Sequence, residues 1–385
     1  MTATPDTARD DAPGAAPVAP RGTLPLRPEL VGVEPYGAPQ LDVPVLLNVN
    51  ENPYAPSDAV VADVAAAVAD ATRGLNRYPD REFLDLRADL AAYLAVEAGV
   101  RREPEQVWAA NGSNEIMLHV LQAFGGPGRT ALSFAPTYSM YPEYARDTHT
   151  AWVAGRREED FTLDVEHARA TIAAHAPSVV LLPSPNNPTG TALPPDTVRA
   201  VLDAAADVPG GCVVVVDEAY GEFRRAGTPS ALELLDEHPH LAVTRTMSKA
   251  FGLAGARVGY LSASRALVDA LRVVRLPYHL SAVTQAVARA ALRHAPELMA
   301  QVGSLRAERD ALVAWLRGTG FEAVDSDANF VLFGRFDDRD AVWQGLLDRG
   351  VLVRVTGPDG WLRVSVGTPA ETAAFTDALV EVTGR

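Results

Sequence analysis

In TMSKAFGLAGARVGY, residues 246–260, one lysine sits between hydroxyl residues and a glycine-rich run: Thr246 and Ser248 precede Lys249, and Arg257 follows eight positions later. Leu241 to Val243, just upstream, read as a buried strand, and Phe251, Leu253 and Ala254 are apolar. A lysine in such surroundings is paired, neutral or chemically bonded, because an isolated ammonium is costly away from water. Asp217 poses the complementary problem, since it follows four valines in CVVVVDEAY, where a carboxylate is costly unless it meets a cation. NGSNE puts Ser113 and Asn114 at a helix start, which can present N–H groups to an anion and equally well serve as a plain helix cap. SPNNPTG, residues 184–190, is a rigid turn in which Asn187 can hold out an amide donor.

These groups need a scaffold that brings loops together. Residues 81–98 repeat apolar positions at helical spacing, Val107 to Ala110 read as a short strand feeding the helix SNEIMLHVLQAF, and TALSFAP, SVVLLPS, CVVVVDEAY and LAVTRTMSK are further strands. Continuous apolar strands alternating with helices predict an α/β fold whose mostly parallel, mixed sheet is flanked by helices. The four motifs end or follow strands, where ligands of open α/β sheets gather. From MAQVGSLRAERDALVAWLRGTG onward the rhythm changes. FEAV, NFVLFG, GVLVRV and GWLRVSVGT read as short strands around the helix DRDAVWQGLLDR, followed by a last helix. The expected division is a disordered tail over 1–27, an arm over 28–60 that also joins the small domain, a large domain over 61–295 and a smaller α+β domain over 296–385.

Composition narrows the function classes. The chain has 385 residues, is 48% hydrophobic and carries a net charge of -15, which disfavours nucleic acid as a partner because phosphate backbones need a basic footprint. A local cluster of arginines can still hold a small anion. No run of about 18 apolar residues predicts a membrane span, and the Ala-, Pro- and Asp-rich opening lacks the apolar core of a secretory signal, so a cytoplasmic location is expected. The single cysteine, Cys212, excludes an internal disulfide framework and a cysteine metal cluster and reads as a packed core thiol. No metal site is expected.

Taken together and in this order, the motifs resemble those of the fold type I pyridoxal-phosphate enzymes, the aspartate aminotransferase superfamily, over roughly residues 28–385. The resemblance implies pyridoxal 5'-phosphate as cofactor, a Schiff base on Lys249, which then shuttles the proton at the substrate carbon, and Asp217 on the pyridine nitrogen. It further implies Tyr220 and Asn187 on the ring oxygen, a phosphate cup of Ser113, Asn114, Thr246, Ser248 and Arg257, and Tyr138 of PTYSMY stacked on the ring; without the family context Tyr138 is as readily a core aromatic. EPYGAPQ, LNVNENPY, NRYPD, SDANFVLF and WLRVSVGT are similar to histidinol-phosphate aminotransferases, especially the actinobacterial type. That likeness implies transamination between L-histidinol phosphate and 2-oxoglutarate, giving imidazole-acetol phosphate and glutamate in histidine biosynthesis. It implies a homodimer with shared active sites, Tyr78 crossing to the neighbour's cofactor phosphate. Tyr36, Asn329, Arg354 and Arg363 would bind substrate, with Arg363 on the carboxylate and Arg354 at the phosphate end, where Val355 departs from the polar residue common in relatives. An aromatic-amino-acid (phenylalanine) aminotransferase and a threonine-phosphate decarboxylase share the scaffold, and a catalytically silent pyridoxal-phosphate-binding regulator is the alternative outside enzymes.

Overall fold

The apolar runs form strands because their side chains are covered on both faces. The computed structural model describes residues 25–385; residues 1–24, and with them most of the segment expected to be a disordered tail, lie outside the described residues. In chain order the strands are β1 (Val45–Leu46), β2 (Val107–Ala110), β3 (Thr130–Ala135), β4 (Ala151–Arg156), β5 (Val179–Pro183), β6 (Val213–Asp217), β7 (Leu241–Thr246), β8 (Gly259–Ala263), β9 (Glu322–Ala323), β10 (Phe330–Gly334), β11 (Val351–Leu352), β12 (Arg354–Val355) and β13 (Trp361–Ser365).

Seven of them make one sheet in the order β2-β8-β7-β6-β5-β3-β4. Only β8 runs against its neighbours, so β2, β3, β5, β6 and β7 all point their carboxyl ends to the same edge. β5, β6, β7 and β8 are buried at every position, the signature of a sheet sandwiched between helices. Two strands carry no clear signal in the sequence. β4 lies at the sheet edge with a half-exposed pattern, and β8 begins at Gly259 inside the glycine-rich run.

The second apolar cluster gathers Leu47, Leu312, Val313, Phe333, Trp343, Leu352, Val364 and Phe375 around the four-stranded sheet β12-β13-β10-β9, with β1 paired to β11 beside it. The helix Ala295–Gly318 belongs to both clusters: Leu298, Val302 and Leu305 pack into the larger core, Leu312, Val313 and Leu316 into the smaller. GVLVRV, read as one strand, is two short strands in different sheets. The break at Val353 lets β11 pair with the incoming arm while β12 pairs with β13. Cys212 is buried and unpaired, and burial pushes its thiol up to about 12, in agreement with a packed core thiol. No helix among the described residues is long and apolar enough to cross a membrane.

Candidate active site

At the shared carboxyl edge of the large sheet lies a cavity of about 310 Å³, roofed by the arm and by the small sheet. Thirteen of the fifteen residues singled out in the sequence line it: Tyr36, Ser113, Asn114, Tyr138, Asn187, Asp217, Tyr220, Thr246, Ser248, Lys249, Arg257, Arg354 and Arg363. Lys249 occupies the turn three residues past the end of β7, and its Nζ donates to the carbonyl of Val49 at 2.9 Å. Burial, reinforced by the nearby Arg363 and Arg257 guanidiniums and opposed by Glu51, lowers the amine from its ordinary value to about 8.

Asp217 is the last residue of β6 and is 7% exposed. Sheet register sets Thr244 of β7 directly beside it, and the Thr244 hydroxyl donates to Oδ1 at 3.1 Å. The Ala219 N–H donates to the same oxygen at 3.2 Å, and the Tyr141 hydroxyl donates to Oδ2 at 2.9 Å. Burial dominates and holds the carboxyl above its ordinary range, although these three donors pull it down. No ion pair to Asp217 occurs among the described residues, so the site presents a buried acid without a cation. The next residue, Glu218, faces the other way and is bound by Arg245, Arg224 and Ser230, which anchors the β6 turn from behind.

The opposite end is built for an anion. Ser113 opens the helix Ser113–Phe124 from Gly112, whose φ of +88° suits glycine. A Cβ on Gly112 would stand 2.7 Å from Arg257 Nη2, and one on Gly259 would stand 2.2 Å from the Ser113 nitrogen, so bare backbone is required where β8 starts. Thr246 donates to Ser248 Oγ at 3.0 Å, and Arg257 Nη1 reaches the same Ser248 oxygen at 3.4 Å.

Between the two ends, donor directions are set by the chain. Tyr220 accepts from Asn50 Nδ2 at 2.9 Å, which leaves its own O–H to donate into the cavity. Asn187 Oδ1 accepts from Arg363 Nη1 at 2.5 Å, so its amide N–H₂ is the end left for a ligand. Arg363 also donates to the Asn48 carbonyl at 2.8 Å and lies 5.1 Å above the Phe330 ring. Arg354 is its cross-strand partner. Alternation along the chain at β12 puts Arg354 and Thr356 at the cavity and Val355 against the small-domain core, so the departure at Val355 falls on the face away from any ligand.

Two of the singled-out residues lie elsewhere. Asn329 is fully buried behind the cavity wall, where its amide donates to the carbonyls of Asn50 and Glu51 and so fixes the arm. Tyr78 is 80% exposed and stacks on Tyr278 with ring centroids 4.4 Å apart, outside this chain's own cavity. Sequence reasoning missed Asn50, Tyr141, Thr244 and Thr356. Strand alternation from Arg354 could have found Thr356, and alternation back from Thr246 could have found Thr244; nothing local marks Asn50 or Tyr141 apart from their place in LNVNENPY and PTYSMY.

The arrangement offers an amine of reduced proton affinity between an acid seeking a cation and a cup seeking an anion, with two arginines above. Residues 43–379 match the model of the family described as aminotransferase class I and II. Histidinol-phosphate aminotransferase 3 of Burkholderia lata is 61% identical to this chain, the alignment covering 93% of this chain and 96% of that relative. The histidinol-phosphate aminotransferase of Thermobifida fusca is 62% identical, over 94% and 96%. Among solved structures, the histidinol-phosphate aminotransferase of Sinorhizobium meliloti in complex with pyridoxal-5'-phosphate superposes with a TM-score of 0.78 at 24% identity, covering 88% of this chain and 91% of that one. An aspartate aminotransferase of Thermus thermophilus with maleate gives 0.76 at 25% identity, over 89% and 91%.

Proposed function

The chain belongs to the aminotransferase class I and II family, and from that premise we propose that it catalyses pyridoxal 5'-phosphate-dependent transamination between L-histidinol phosphate and 2-oxoglutarate, giving imidazole-acetol phosphate and glutamate in histidine biosynthesis. The observation that carries the substrate reading is the cross-strand pair Arg354 and Arg363 facing the cavity above Lys249, in a chain more than 60% identical to two histidinol-phosphate aminotransferases. One pocket must take glutamate, with two carboxylates, and histidinol phosphate, with a phosphate and no carboxylate. A guanidinium fork suits both anions.

The residues fit the cofactor. Asp217, buried with no ion pair among the described residues, would hold a protonated ring nitrogen; Ser113, Asn114, Thr246, Ser248 and Arg257 would hold its phosphate, in a cup where a Cβ on Gly112 would collide with Arg257. When bound, the cofactor supplies an electron sink for the pair left at the substrate carbon when its proton is removed. Lys249 Nζ, an amine of lowered proton affinity in the middle of the cavity, would hold the cofactor at its aldehyde end and is placed to take and return a proton at the substrate carbon as general base and acid. The Tyr220 hydroxyl and the Asn187 amide would donate to the ring oxygen, and Tyr138 would cover the ring face. Arg363, held by Asn187 and Asn48, fixes a substrate carboxylate. Arg354 with Thr356 receives the far anionic group, and Tyr36 closes the mouth.

Single-turnover measurements with histidinol phosphate, phenylalanine and threonine phosphate test the assignment. Histidinol phosphate should convert the bound cofactor fastest; a faster reaction with phenylalanine would replace this reading. Thr356→Val, which keeps the side-chain shape, should raise KM for histidinol phosphate about tenfold, in line with a lost hydrogen bond to a charged group, and Thr356→Ser should restore it. Unchanged KM in Thr356→Val would remove the hydroxyl from substrate binding.

The same reading includes a cytoplasmic homodimer with shared sites, and a large unit over 61–295 with a small one over 296–385 joined by 28–60. Exposed apolar residues Leu75, Tyr78 and Leu276 support the dimer, since an isolated chain would leave them in water. Mixing Lys249→Ala and Tyr78→Phe parents should create hybrids in which one of two sites is free of both substitutions. Activity of the mixture should therefore rise well above the mean of the parents; a simple mean would show that each site is built from one chain.

A further inference from the structure

Tyr141 has a buried hydroxyl that no role above uses. It lies in the first turn of the helix Met140–Asp147, is 0% exposed, and packs edge-on against Tyr138 with centroids 5.5 Å apart. A phenylalanine would fill the same space. A buried hydroxyl without a partner is costly, and this one spends its hydrogen on Asp217 Oδ2 at 2.9 Å.

The count of donors around Asp217 gives that bond its meaning. Among the described residues, Oδ1 takes two hydrogen bonds, from Thr244 and from Ala219, whereas Oδ2 takes one, from Tyr141. A carboxylate oxygen accepts from two directions, so Oδ2 keeps one free toward the cavity that Asp217 lines. The remaining titratable neighbours do not compete for it: Glu218 is tied to Arg245 and Arg224, Tyr220 is bonded to Asn50, and burial keeps Tyr138 and Tyr144 as neutral phenols.

We propose that Tyr141 is a positioning residue for the ring-nitrogen end of the site: its O–H holds Asp217 with one Oδ2 acceptor aimed into the cavity, and keeps it an anion so that the shared proton stays on the ring nitrogen of the bound cofactor. This rests on the ring-nitrogen role of Asp217 proposed above. Without the phenol hydrogen, Oδ2 loses the donor it has from Tyr141 while Oδ1 stays held by Thr244 and Ala219, the carboxyl becomes more basic, and the ring nitrogen is less fully charged. The bound cofactor then becomes a weaker electron sink and more basic elsewhere.

The test uses the holoenzyme without substrate, following the pH midpoint of the cofactor's visible absorbance, together with single-turnover rates with histidinol phosphate. Asp217→Asn serves as the reference, because it cannot hold the proton on the ring nitrogen and should move the midpoint upward. Tyr141→Phe should move it in the same direction by a smaller amount, and lower the maximal rate about tenfold with KM within about twofold, as expected for loss of one hydrogen bond to a charged group. 3-Fluorotyrosine installed at position 141 keeps the ring and strengthens the donor, so it should move the midpoint downward, a response that space-filling alone does not produce. If Asp217→Asn leaves midpoint and rate unchanged, the ring-nitrogen role of Asp217 falls and this inference with it. If Asp217→Asn acts while Tyr141→Phe and the fluorinated protein both titrate like the parent, Tyr141 is a packing residue and only this inference is overturned. Should Tyr141→Phe fail to fold, the fluorinated protein alone decides.

Discussion

Lys249→Ala should abolish transamination, with a loss of at least about 10⁴-fold, because on the proposed reading it removes both the group that would hold the cofactor and the group that would move the proton. The effect should exceed that of any other single substitution in the cavity. Borohydride treatment of the parent enzyme followed by peptide mapping should mark Lys249; a mark on any other lysine would move the assignment. The environment of the amine adds a pH prediction. Bonding to an aldehyde requires the neutral amine, and burial beside Arg363 and Arg257 brings Lys249 down to about 8. A group with a lowered value is charged below it and neutral above it, so the rate at which the cofactor-free protein takes up pyridoxal phosphate should climb as pH rises through about 8 and level off beyond. A rate flat from pH 7 to 9 would show that the amine is already neutral throughout.

Why so much of this site can be read from sequence follows from where its residues lie. Asp217, Asn187, Ser113 and Lys249 each follow a strand whose apolar run is unmistakable, and five strands with a common direction deliver their ends to one edge. Local motif and global position thus coincide. What escapes is whatever depends on pairing between distant segments. Thr244 matters because register sets it beside Asp217, and Asn50 because its backbone is held by Ser365 Oγ and its side chain by Tyr220. Alternation back from Thr246 puts Thr244 on the right face but does not name its partner, and Asn50 has no local trace at all. Asn329 illustrates the converse: its type and neighbourhood suggest a ligand contact, but its amide N–H₂ is taken up by the arm's own carbonyls. The fold shows the same division. β5, β6 and β7 are plain in the sequence, whereas β8, starting at a glycine, and the split between β11 and β12 emerge only from their partners.

Arg363→Ala should cripple the glutamate half-reaction while sparing that of histidinol phosphate, and Arg354→Ala should damage both. Arg363 is prepared before any substrate arrives: Asn187 and Asn48 hold two of its nitrogens, Phe330 supports its plane, and burial keeps its charge costly unless an anion is supplied. A carboxylate next to the reacting carbon supplies that anion. Losing one partner of such a buried pair costs about 2 to 5 kcal/mol, roughly 30- to 5,000-fold in the glutamate reaction. Histidinol phosphate carries no carboxylate there, so its loss should be limited to about tenfold from the disturbed wall. Arg354 faces the same cavity from the neighbouring strand, with Thr356 on its side, and so on the proposed reading would meet the phosphate of one substrate and the distal carboxylate of the other. Its removal should weaken both, the doubly charged phosphate at least as much. Rapid-mixing measurement of each half-reaction, one substrate at a time, separates these effects from product release. If Arg354→Ala leaves histidinol phosphate untouched and phenylalanine proves the better amino donor, the far end of the pocket recognises an aromatic ring rather than a phosphate, and the substrate assignment passes to an aromatic amino acid.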